Sequence, residues 1–252
     1  MLYSNRELDR AFDFIAHTDF DMFCLQEVPE AFLKRLQTLS YFISSRIDVE
    51  EICEEGDEIL FAVILSKHPI VMQGEIIFPD YMPLLSLRTR VFVRLMRSFG
   101  FFKIRNRGAV FADIRVPDIP SAIRVFSLHL ILAQPAWRLQ EFEIAMVKRN
   151  QTQSTIVCGD FNIIESPFMA PLNWILGGSL ADAFFYHRER TRIEKSFAAH
   201  ELANPLHGKN THSFALSQLD HILVSHSFSI KKTEVVLDRY GSDHHPIFLE
   251  VA

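Results

Sequence analysis

The chain has 252 residues, 48% of them apolar and 23% charged, with 26 Lys plus Arg against 31 Asp plus Glu and a formal net charge of −5. That balance excludes a disordered or low-complexity chain and a globally basic nucleic-acid binder, while leaving room for a local phosphate-binding face. Its three cysteines, Cys24, Cys53 and Cys158, lack paired spacing, which excludes a disulfide framework or thiolate zinc site and reads as reduced core thiols of a cytoplasmic protein.

The first residues, MLYSNRELDR, carry no signal-peptide pattern, and no apolar run reaches the length of about 18 residues expected of a membrane span. Ser4 and Glu7 have capping-box spacing, ahead of Leu8, Ala11, Phe12 and Ile15 at i, i+3, i+4 and i+7, so a helix with one buried face opens the chain. Met22 to Leu25 reads as a buried strand ending at Gln26 and Glu27; Pro29 then suits the first turn of a helix that buries Phe32, Leu33 and Leu36. Ile59–Leu65 is strand-like, Ala109–Val116 alternates as a half-exposed strand would, and Ile123–Leu130 is a further strand containing His129. Gln134–Arg149 reads as an amphipathic helix. Thr155–Cys158 is a short buried strand running into Gly159, Asp160, Phe161 and Asn162, where the glycine permits a tight turn. Leu219–Val224, Lys232–Leu237 and Pro246–Val251 complete the strands.

Residues 76–107 differ. Arg88, Arg90, Arg94, Arg97, Lys103, Arg105 and Arg107 stand among Phe92, Phe99, Phe101 and Phe102 without a strong period. This segment reads as a basic, aromatic insertion or lobe near a site rim, within a single domain spanning 1–252. Its composition suits stacking and phosphate contact with a nucleic acid, a peripheral membrane surface, or simply a solvated basic face.

Apolar strands repeatedly end in acidic, amide or imidazole groups, and such ends gather at one rim of a sheet, where ligands bind. Glu27 is either a metal-binding carboxylate or a rim residue capping the next helix. Asp160 and Asn162 point to the same side with Phe161 opposite, as an Asx turn or as a carboxylate and amide serving a phosphoryl centre. Asp220 is a strand-start cap or a site acid. Asp243, His244 and His245 crowd one turn, and His129 is either a satisfied core histidine or part of the same site.

The strings LQEV at 25–28, LSKHPI at 65–70, SLHL at 127–130, GDFN at 159–162, LDHILVS at 219–225 and GSDHHPI at 241–247 together resemble the endonuclease/exonuclease/phosphatase, or deoxyribonuclease-I-like, superfamily. The resemblance implies an α/β fold, a four-layer sandwich of two packed mixed β-sheets flanked by helices. It implies a Mg²⁺-dependent phosphodiesterase, with Mn²⁺ as a substitute, that is nuclease-like; sphingomyelinase-like or inositol-phosphate phosphatase activity is the alternative. It implies Glu27 and Asp243 at the metal, Asp160 orienting or activating the attacking water, and Asn162 contacting the phosphate. His244 is then the essential histidine, Asp220 its orienting partner, and His129 the histidine of the nuclease I and sphingomyelinase branches. One departure stands out: the family's first strand, ending in an Asn, is missing ahead of the opening helix, and Asn5 reads as a helix-start residue. Without that group the chain could instead be a degenerate phosphate-binding module.

Overall fold

The computed structural model describes Asn5 and residues 7–53, 56–97 and 103–252. Helix α1 (Leu8–His17) begins at Glu7, whose N–H is accepted by Asn5 Oδ1 at 2.6 Å; Ser4, the expected cap, lies outside the described residues. Strand β1 (Met22–Pro29), helix α2 (Glu30–Leu36) and strands β2 (Phe42–Cys53) and β3 (Gly56–Ser66) follow. Next come β4 (Ile70–Ile77), α3 (Leu87–Arg97), β5 (Lys103–Arg105), β6 (Gly108–Ile114), β7 (Ile123–His129), α4 (Pro135–Met146) and β8 (Thr155–Asp160). The chain closes with helices α5 (Ala170–Ile175), α6 (Leu180–Phe184) and α7 (His187–Ala199), then strands β9 (Leu202–Ala203), β10 (Asp220–Ser225), β11 (Ile230–Val235) and β12 (Ile247–Val251).

The strands form a four-stranded sheet, β1-β3-β2-β5, a six-stranded sheet, β4-β6-β7-β8-β10-β9, and the β11-β12 pair. Among the described strands β7 and β8 alone run parallel, joined through α4 as such a crossover requires. Three apolar clusters define four layers. Ala11, Ile15, Phe32 and Leu36 of α1 and α2 cover the outer face of the first sheet at Val63 and Leu65. Ala62 and Ile64 meet Val110, Ala112 and Val125 between the sheets. Phe126, Leu128 and Val157 pack outward against Phe142 of α4 and Phe197 of α7. The expected sandwich is therefore the observed one.

Several local expectations change. Strand β6 is buried along its whole length rather than half exposed, because Asp113 takes a two-pronged ion pair from Arg124 on β7 at 2.7 and 2.9 Å. Helix α4 ends at Met146; its solvent face carries Gln140 and Glu143, and its buried face holds the polar Arg138 and Glu141 beside Phe142 and Ala145. The 76–107 segment contains helix α3, whose Arg88 donates to the Trp174 carbonyl at 2.7 Å, and Arg107 of this segment is buried. Phe99, Phe101 and Phe102, and the side chains of Arg97 and Lys103, lie outside the described residues.

No strand precedes α1 among the described residues. Among the described residues β1 pairs with β3 alone and β12 with β11 alone, and between them lies a cavity of about 620 Å³ lined by Met22–Gln26, Ile247–Val251, Ile123 and Ile156. It opens toward Asp220 and His244. Among the described residues, no helix is long and apolar enough to cross a membrane.

Candidate active site

The first group of polar residues arises from two irregularities in the four-stranded sheet. The β1–β3 register slips between Leu25 and Val28, and the β2–β3 register slips between Ile47 and Val49. A bulge inserts one residue and re-aims its side chain. Glu27 occupies the first with φ 52°, a left-handed conformation that costs a non-glycine residue about 1 kcal/mol or more. Asp48 occupies the second, and its Oδ2 accepts the Glu27 N–H at 3.3 Å. The two bulges thereby hold each other.

Asp48 also binds the end of β7. His129 Nδ1 lies 2.9 Å from Asp48 Oδ2, and its Nε2 faces Glu27 Oε1 at 3.9 Å. Burial alone would lower the His129 pKa, but the charge and hydrogen bond of Asp48, with Glu27, outweigh it and raise the value to about 9. The ring is then an imidazolium at neutral pH. Arg107 fixes the backbone beneath it, donating to the His129 carbonyl at 2.6 Å and pairing with buried Glu141 at 3.3 Å. The Glu27 carboxyl is pushed up by burial, with His129 opposing and Asp48 and Asp160 adding.

The second group lies at the ends of β8 and β10. Gly159 is inside β8 rather than in a turn, with φ 141°; a Cβ there would stand 1.8 Å from the Leu128 carbonyl oxygen. Glycine lets β8 approach β7 closely, which aligns His129 with Asp160 in register. Asp160 is fully buried. Its Oδ1 accepts the Asn162 N–H at 2.8 Å, while its Oδ2 accepts no hydrogen bond. Burial pushes its carboxyl up against the pull of His244. Asn162 has φ 52° and donates one amide hydrogen to the Leu130 carbonyl at 2.8 Å, whereas Phe161 points into the helix-facing core.

On β10, Asp220 Oδ2 lies 2.8 Å from His244 Nδ1, and His244 Nε2 faces Asp160 Oδ2 at 4.0 Å. Thr211 Oγ1 accepts the Leu219 and Asp220 N–H groups at 3.0 and 2.9 Å, fixing the strand start. Burial would raise the Asp220 pKa and lower that of His244; their mutual attraction overrides both, lowering the acid and raising the base. Asp243 is exposed beside them. His245 is occupied by Ser213 and the Val236 carbonyl, and His221 by Arg190 and the Leu219 carbonyl, so neither faces this group.

Seven residues singled out in the sequence thus fall in one region: Glu27 with His129, Asp160 with Asn162, and Asp220 with His244, with Asp243 at the edge. Asp48 and His212 join them without a signal in the sequence. Asp48 reads in sequence as the polar member of an alternating strand, and only the bulge turns it inward. His212 is a lone loop histidine whose ring lies edge-on to His244, centroids 4.7 Å apart at 83°.

Two sets of ligand atoms lie within 4.8 Å of one another, Asp160, Asp220 and His244, and His212, Asp243 and His244. The partnerless Asp160 Oδ2 and a second partnerless buried oxygen, Asp48 Oδ1, sit among carboxylates whose burial calls for positive charge. Such an oxygen-rich donor set fits a hard divalent cation.

A two-sheet sandwich with acid, amide and imidazole groups at the strand ends is the architecture of metal-dependent phosphoesterases. The chain belongs to the Endonuclease/Exonuclease/phosphatase family, whose model matches residues 2–244. Similar solved structures include an endonuclease/exonuclease/phosphatase family protein from Bacteroides thetaiotaomicron, 16% identical, with TM-score 0.64, covering 98% of this chain and 88% of that one. A mannosyl-6-phosphatase from the same organism is 15% identical, with TM-score 0.56, covering 98% and 91%. A 3′ phosphatase from Neisseria, bound to a product DNA hairpin, is 14% identical, with TM-score 0.56, covering 98% and 94%. No curated protein matches the chain in sequence.

Proposed function

We propose that this protein is a Mg²⁺-dependent phosphodiesterase of nuclease-like type, built as one domain over 1–252 with a basic, aromatic insertion at 76–107. The observation that carries the reading is Asp160 Oδ2, buried without a hydrogen-bond partner, with His244 Nε2 facing it at 4.0 Å. A buried carboxylate oxygen left bare is costly unless a ligand completes it.

In this reading Glu27 and Asp243 would hold the metal, with Mn²⁺ able to substitute. The cation would neutralise charge developing on the phosphate and on the leaving oxygen. Asp160 orients the attacking water. Asp220 takes the Nδ1–H of His244, which fixes the tautomer and leaves Nε2 to exchange a proton at the reaction centre. Asn162 offers its remaining amide hydrogen to a phosphate oxygen, and His129, held as a cation by Asp48, adds positive charge to the pocket.

A nucleic acid is the favoured substrate class. Arg90 and Arg94 on α3 supply cations, and a structural relative is described with a DNA product. One second reading is a phosphate-binding module without turnover, in which the cavity between β1 and β12, lined in part by Asp220 and His244, takes the ligand. Both are tested by assaying plasmid DNA, RNA, sphingomyelin, an inositol phosphate and bis(p-nitrophenyl) phosphate with Mg²⁺ and with EDTA. The proposed enzyme cleaves at least one of them only with metal, and His244→Ala and Asp160→Ala each lower the rate by about 10³-fold or more. Full activity in either variant refutes the assignment of roles; a folded wild type that binds phosphate and cleaves none of the panel supports the module.

A further inference from the structure

We propose that His212 is a fixed hydrogen-bond donor, through Nε2–H, to a phosphate oxygen of the substrate. The proposal rests on the phosphoesterase reading for its substrate, but its geometry is independent of that reading. His212 Nδ1 accepts the Ala215 N–H at 3.0 Å. A ring nitrogen that accepts carries no proton, so in the neutral ring the proton sits on Nε2. With Nδ1 occupied and Nε2 protonated, neither nitrogen has a free lone pair. The ring as placed therefore cannot ligate a metal, even though it clusters with Asp243 and His244. What it offers the site is one N–H.

That donor is held rigidly. His212 bridges the backbone of both Ser217 and His244, its carbonyl accepts the Leu216 N–H at 3.0 Å, and the preceding Thr211 carbonyl accepts the His245 N–H at 2.8 Å. The loop is thus tied to the histidine turn on one side and, through Thr211 Oγ1, to the start of β10 on the other. A donor fixed before substrate arrives needs no reorganisation during reaction. Its ring stands edge-on to His244, the residue that faces Asp160.

The test compares two amide variants. His212→Asn keeps an acceptor for Ala215 at the Nδ1 position but carries no donor at the Nε2 position; His212→Gln carries its amide out to Nε2. With bis(p-nitrophenyl) phosphate and Mg²⁺, His212→Asn should lower kcat by about 100-fold, and His212→Gln should recover at least tenfold of that loss. An Asn variant at the wild-type rate, or equal losses in both, overturns the donor role. Two-bond ¹H–¹⁵N spectra of the histidines in EDTA read the tautomer without any turnover. A protonated Nε2 and bare Nδ1 at His212, with the Nε2–H resonance moving on titration with inorganic phosphate plus Mg²⁺ and phosphate affinity falling about tenfold in His212→Asn, support it. The opposite tautomer, or a resonance indifferent to phosphate, overturns it. A wild type without turnover that still shows the phosphate-dependent shift separates failure of the enzymatic reading from failure of this one.

Discussion

Replacing Asp48 by Asn removes one negative charge while keeping the shape of the bulge, and its consequence should be a change in how stability depends on pH. In the metal-free protein His129 titrates at about 9 instead of 6.5. The ring is only 7% exposed and Asp48 not at all, so solvent screens the pair little. Because the folded pKa lies above the unfolded one, the native state binds the proton more tightly. Its contribution is fully present below about pH 6.5 and is lost as pH rises through about 9. At about 1.36 kcal/mol per pH unit, the interval from 6.5 to about 9 corresponds to about 3 kcal/mol. His244 is also raised and slopes the same way, so the informative quantity is the difference between wild type and Asp48→Asn. Urea unfolding in EDTA should show that difference closing by about 3 kcal/mol between about pH 6 and pH 9. A difference that stays constant across this range would refute the Asp48–His129 pairing as the source of the raised pKa.

Other perturbations probe different parts of the fold. Gly159→Ala drives a methyl group into the Leu128 carbonyl, 1.8 Å away, at φ 141°; melting should show a loss of about 2 kcal/mol or more, and wild-type stability would contradict the close β7–β8 approach. Arg138 is fully buried between Glu189 at 2.5 Å and Asn173 at 2.7 Å. Arg138→Met should cost about 3–5 kcal/mol by stranding Glu189, and adding Glu189→Leu should restore most of it; an additive double mutant would show the ion pair is not what the helices share. Mg²⁺ at about 100 times its dissociation constant should stabilise the wild type by about 2.7 kcal/mol. A calorimetric shift of the same size in Glu27→Gln would place the ion away from Glu27.

The parts of this site that could be read from the sequence are those made by local chemistry. Asp160 ends β8 and Asp220 begins β10, while Glu27 closes the apolar run of β1 and His244 sits in a polar turn just before β12, and each of these announces itself in a few consecutive residues. Asp48 does not, because its inward direction comes from a register slip against β3, a property of two strands paired across sequence. His212 is hidden for a related reason: its tautomer depends on the Ala215 N–H and its place on a backbone bridge to His244, 32 residues away along the chain. Helix α3 escaped notice since its arginines interrupt the apolar pattern, and its Leu87 and Val91, one turn apart, are exposed rather than buried. Strand β6 looked half exposed because Asp113 is charged, yet Arg124 neutralises it from β7 while stacking over Phe111 at 4.7 Å. Bulges, tautomers and inter-strand ion pairs share one property: each is fixed by a partner distant in sequence. In this fold they are also what gathers the polar groups into one cluster, since Asp48 binds both Glu27 and His129, and the Thr211–His212 loop is tied to the turn that carries His244.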